Sequence, residues 1–139
     1  MVDKATLDGL LGNLQRYVAE LRRLAAVPPE AFHQDPDKIG SAKYHFVIAI
    51  ECAIDVANHI IASEGFPLPK DNADSFAVLV EERIIPNEWK DRLASMARFR
   101  NRLVHLYVAV RNEQVYEYLQ QSLGDLDAFG RAVADHQWP

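Results

Sequence analysis

From Phe46 to Ile61 the chain is apolar nearly all the way round a helix, and this stretch limits the fold more than any other. A helix with a single apolar stripe can lie on a surface, whereas one that is apolar on most sides has to be covered by several neighbours. The segment opens at Asp35-Pro36, a capping residue followed by proline in the first helical position, and ends at Gly65 ahead of Pro67 and Pro69. Against the apolar background Glu51, Asp55 and Asn58 stand out at i, i+4 and i+7, on a face shared with Tyr44. Buried carboxylates need partners, and arginines of a neighbouring helix are the expected ones.

The covering helices can be read from their spacing. Leu7, Leu10, Leu11, Leu14, Tyr17, Val18, Leu21 and Leu24 form one stripe, with Asp3 as cap and Pro28-Pro29 as terminator. A shorter helix is predicted to start near Asp74-Ser75, turn Phe76, Leu79, Val80 and Ile84 inward, and stop at Pro86. Asn87 is expected to cap a fourth, with Trp89, Leu93, Met96, Ala97, Leu103 and Val104 facing the core and arginines on its polar face. Asn112 is expected to cap a last helix carrying Val115, Leu119, Leu123, Leu126, Phe129 and Val133, weakened by Gly124 and Gly130. Only Val108-Ala109-Val110 allows a short extended piece. The expected fold is all-α, an antiparallel bundle of four to five helices in one domain over residues 1–139.

Composition removes several classes of function. Cys52, the sole cysteine, is flanked by Ile50, Ala53 and Ile54 and permits no intrachain disulfide, which suits a reducing compartment. The start, Met-Val-Asp-Lys-Ala-Thr, has no apolar run of the signal-peptide kind, and no segment approaches the ~20 apolar residues of a spanning helix, so a cytoplasmic protein with no membrane contact is expected. Net charge is −5, yet residues 83–111 hold seven basic and two acidic residues, a local +5, while the remainder holds eight basic and eighteen acidic, −10. A basic patch on an acidic protein fits a phosphate-bearing ligand met at one place, or a solvated face paired with acids of adjoining helices.

Chemistry converges on Arg100-Asn101-Arg102-Leu103-Val104-His105-Leu106-Tyr107. On an ideal helix Asn101 shares a face with His105, and Arg100 with Tyr107; Arg100 and His105 lie ~140° apart, a gap that a long arginine or a helix end near His105 would bridge. Glu51, Asp55 and His59 fall at i, i+4 and i+8, but one helix supplies no closed coordination shell, and the Glu-x-x-His pairs of carboxylate-bridged bundles are missing; neither metal nor cofactor is expected. Phosphate loops, dinucleotide glycine motifs and serine-nucleophile elbows are also missing.

Arg100, four residues, His105, one residue, Tyr107 is the Arg-x4-His-x-Tyr signature of the HEPN superfamily, and Phe99-Arg100-Asn101-Arg102-Leu103-Val104-His105-x-Tyr107 resembles its HepT-type branch. The leucine-rich first helix, Ala49-Ile50-Glu51 with Asp55, Ser75-Phe76 and Val115-Tyr116 match that branch in order, over residues 3–133. One departure is Arg111, basic where relatives often carry an acid.

The resemblance implies a homodimer whose two Arg/His motifs face one cleft, acting as a metal-independent endoribonuclease toxin on RNA. Arg100 and His105 would be catalytic, with Asn101 holding the imidazole, Arg102 and Arg98 positioning the RNA backbone, and Glu51 and Asp55 orienting the basic side chains. It also implies a minimal nucleotidyltransferase antitoxin that places AMP on Tyr107 and so inactivates the enzyme. The same fold serves elsewhere as a non-catalytic module that binds a nucleotidyltransferase, which is the alternative expectation.

Overall fold

Local capping chemistry sets where the longest helices begin and end in the computed structural model, which describes residues 1–138. Asp3 accepts from the Ala5 backbone N–H and the Thr6 hydroxyl, opening α1 (Lys4–Ala25). Asp35 accepts from the backbone N–H groups of Asp37 and Lys38 at 3.0 and 3.3 Å, and Pro36 fills the first position of α3 (Pro36–Glu64). At the far end Gly65 adopts φ 69°, a left-handed conformation that costs a residue without a side chain little, and its N–H closes on the Ile61 carbonyl. Between α1 and α3 lies a short helix absent from the sequence reading, α2 (Pro29–His33), which plugs Phe32 into the core with no exposure.

The remaining boundaries depart from expectation where a side-chain cap was assigned from residue type alone. Asp71, not Asp74 or Ser75, caps α4 (Asn72–Glu81), accepting from the Asp74 N–H at 2.7 Å. This helix stops at Glu81; Ile84 is buried from the turn beyond it, past Arg83 at φ 62°, and Val80 is only half-buried. Asn87 opens a 3-10 turn, Asn87–Trp89, and α5 (Lys90–His105) starts without a side-chain cap. Asn112 is likewise the first residue of α6 (Asn112–Gln121), which also lacks a side-chain cap, and the single last helix is broken at Ser122, with α7 (Leu123–Asp135) following. Residues Tyr107–Ala109 form a 3-10 turn, and no strand occurs among the described residues.

α3 is the hub, packing against α1 along its length and against α2, α4, α5, α6 and α7. By length and composition alone it would pass for a membrane-crossing helix, contrary to the expectation that no segment comes near one; half of its most apolar stretch is buried inside the bundle. Ala49, Ile50, Ala53, Val56, Ala57 and Ile60 have no exposed surface, which explains why the segment is apolar on every side but the narrow face of Glu51, Asp55 and Asn58. Where α3 meets α5 and α6, Phe46 packs edge-on against Phe99, and Phe99 stacks flat on Tyr118, centroids 3.9 Å apart at 4°. That aromatic layer fixes the rotation of α5 about its axis, and so decides which of its polar residues meet α3. Val104, expected in the core, falls on the outer side and is exposed.

Candidate active site

The C-terminal turn of α5 carries the motif. Phe99 and Leu103 are buried and hold the turn down, so Arg100 and Asn101 lie at the α3 boundary, whereas Arg102 and His105 are exposed. The helix ends at His105: Leu106 swings to φ −133°, ψ 42°, with its N–H still donating to the Arg102 carbonyl at 2.7 Å. The imidazole therefore projects from a helix terminus and has no hydrogen-bond partner among the described residues.

Arg100 is the anchored member. Its Nη2 donates to Glu51 Oε1 on α3 at 2.6 Å and its Nη1 to Asn101 Oδ1 at 3.0 Å. Its Nε is buried without a partner, and the side chain keeps 19% of its exposure, so the fork is oriented without being sealed off. The expected carboxylate–arginine pairing is thus formed by Glu51. Asp55 takes no part in it: the residue is exposed and pairs with no cation among the described residues, because four residues further along α3 it has passed beyond Arg100. Partial burial, followed by the charge of Glu51, raises its carboxyl above the ordinary range. Cys52 beside them is half-buried, and burial, then Asp55 and Glu51, push its thiol up. Glu51 is turned to Arg100, Asp55 lies outside, and no group of three or more His, Cys, Asp or Glu side chains able to hold a metal ion occurs among the described residues.

Asn101 was expected to hold the imidazole; its carbonyl oxygen is instead engaged by Arg100. Arg102 is exposed, its guanidinium 5.6 Å from the Phe99 ring centre. Within the basic segment Arg92 pairs with Asp125 at 3.1 Å and Arg100 with Glu51, whereas Arg83, Lys90, Arg98, Arg102 and Arg111 have no acidic partner among the described residues. Most of the patch is therefore unneutralised. Tyr107 is half-exposed in the turn after α5, among the exposed apolar side chains Val104, Leu106 and Val108.

Sequence reasoning missed Lys43. It is buried on α3, with its ammonium 4.3 Å from the centre of the Tyr107 ring. The available signal was a lysine eight residues before Glu51, close to the apolar stretch and next to Tyr44, already placed on the Glu51 face.

A helical bundle with Arg-x4-His-x-Tyr at the end of one helix, its arginine tied to a glutamate on the central helix, fits the class of domain that the sequence resembles. The chain belongs to the HepT-like family: the model described as Ribonuclease HepT-like matches residues 14–133. Among curated proteins, the mRNA nuclease HepT of Shewanella oneidensis is 33% identical over 79 residues, a match spanning 57% of this chain and 59% of that relative. Among solved structures, the tri-AMPylated HEPN toxin of Shewanella oneidensis in complex with MNT antitoxin superposes with a TM-score of 0.86 at 24% identity, covering 94% of this chain and 97% of that one. A cytosolic protein of unknown function from Bacillus subtilis, YutE, gives 0.82 at 20% identity, covering 96% and 89%. The fold is therefore shared by proteins of quite different sequence.

Proposed function

We propose that this chain is the toxin of a two-component system, a metal-independent endoribonuclease of the cytoplasm that works as a homodimer. The observation that carries this reading is the contrast within one helical turn: Arg100 oriented by Glu51 yet partly exposed, and His105 free at the helix end five residues on. An oriented cation beside an exposed, unpartnered imidazole suits cleavage of an RNA phosphodiester. The ribose 2′-oxygen attacks the adjacent phosphorus as an imidazole takes the hydroxyl proton. The bond to the 5′-oxygen breaks, and a proton is delivered to that oxygen as it leaves. One imidazole does not serve as base and acid at once, so two copies of His105 facing a shared cleft divide the work. Arg100 stabilises the charge that builds on the phosphorane, and the unpaired Arg98 and Arg102 hold the flanking backbone without reading bases. The exposed apolar residues Val104, Leu106 and Val108 beside the motif supply a surface for the second copy.

Its partners on this reading are RNA and a minimal nucleotidyltransferase antitoxin, which switches the enzyme off by transferring AMP to Tyr107. Support comes from the family and from the likeness to a HEPN toxin solved in AMPylated form with its antitoxin. The decisive experiment incubates purified chain with RNA in EDTA beside a His105→Ala control. Cleavage that persists in chelator, leaves 2′,3′-cyclic phosphate ends and is lost in the variant is the expected result. Cleavage that needs an added divalent ion overturns the mechanism, and a chain with no cleavage in any condition leaves the non-catalytic binding module as the function.

A further inference from the structure

Lys43 is 6% exposed, yet its ammonium has no carboxylate partner among the described residues. Glu51, two turns along the same helix, is committed to Arg100. What Lys43 does face is the Tyr107 ring, 4.3 Å from its centre. An aromatic face is a weaker partner for an ammonium than an anion is, so the pair is an arrangement short of one anion. The aromatic partner is half-exposed, and its hydroxyl makes no hydrogen bond among the described residues. The positive charge at the tip of a largely buried lysine therefore sits under a phenol that is open to a large reagent.

We propose that Lys43 is the positioning and charge-pairing residue for modification of Tyr107: it holds the ring outward before the transfer and pairs with the phosphodiester afterwards. This rests on the reading of Tyr107 as an AMP acceptor. In the step, the Tyr107 Oη attacks the α-phosphorus of ATP. The Oη–P bond forms, the bond from that phosphorus to the bridging oxygen breaks, pyrophosphate leaves with the electron pair, and the phenolic proton passes to a base of the transferase or to water. The product carries one negative charge on the phosphate oxygens next to the ring. A short swing of the lysine stem replaces the cation–ring contact with a charge-assisted hydrogen bond, which is the stronger of the two. Arg100 is less suited to the task, because Glu51 and Asn101 already occupy two of its donors and its Nε is buried. The nucleotide is then pinned beside the motif by a residue that RNA cleavage itself does not call on.

The test uses the full chain with its nucleotidyltransferase and ATP, followed by intact-mass spectrometry over time. The parent should gain AMP, and Tyr107→Phe should not; if the two behave alike, the acceptor reading itself fails. Given that difference, Lys43→Met, which keeps the stem and removes the charge, should be modified about tenfold more slowly or worse, and Lys43→Arg should return to within about threefold of the parent. A folded Lys43→Met that is modified at the parental rate overturns the proposal and leaves the acceptor reading standing. So does a variant whose RNA cleavage collapses while AMP transfer is untouched, because the cation would then serve RNA. A measurement on the parent covers the case of a variant that fails to fold: the Lys43 ¹⁵Nζ resonance should shift on modification of Tyr107, and an unmoved resonance overturns the pairing.

Discussion

The Arg100 guanidinium donates to Glu51 Oε1 at 2.6 Å across the contact between α5 and α3, and this pair ties the motif to the central helix of the fold. Positioning and stability are therefore coupled at Arg100 in a way that they are not at His105.

Glu51→Ala is expected to lower stability by about 1–2 kcal/mol, between the values for exposed and fully buried pairs, because the carboxylate keeps part of its exposure. Cleavage should fall about 10- to 100-fold as the fork loses its orientation. Urea denaturation and single-turnover cleavage measure the two effects, and an active, equally stable variant would mean that the pair is incidental.

His105→Ala should abolish cleavage with a stability change within about 0.5 kcal/mol, since the side chain is exposed and bonds to nothing among the described residues. Arg100→Ala should also abolish cleavage, with a measurable loss of stability, as it leaves Glu51 without its partner. Thermal melts of the two variants, run side by side, separate the anchored residue from the free one.

Asp55 gives a pH signature. Burial and Glu51 raise its carboxyl, so the folded chain holds this proton at pH values where the unfolded chain has lost it. Its contribution to stability therefore falls as pH rises from the ordinary carboxylate range through the raised value. Asp55→Asn removes that loss, and its melting temperature should gain on the parent as pH rises from the ordinary carboxylate range. A constant difference across the range would show that the carboxyl is not perturbed.

Val108 is 96% exposed beside Leu106 and Val104, at the end of the motif. On the two-copy reading, Val108→Asp should convert a dimer to a monomer in light scattering and abolish cleavage, with monomer stability changed by no more than about 0.5 kcal/mol. An active monomer would remove the shared cleft.

The amphipathic stripe of α1, the all-round apolarity of α3 and the prolines and Gly65 between helices determined an all-α bundle, because they act through periodicity and local backbone restriction. The motif residues were legible for the same reason, being contiguous in the chain. Asn87 and Asn112 stand as the first residues of their helical segments and not as side-chain caps, since a capping residue type is only a local option for the backbone. Which acid meets Arg100 was also beyond the sequence: Glu51 and Asp55 are both on the right face by spacing, and only the rotation of α5, fixed by Phe46, Phe99 and Tyr118, selects Glu51. Lys43 under Tyr107 is a contact across 64 positions of chain, made when a turn folds back over α3, and nothing in the local pattern of either residue encodes it.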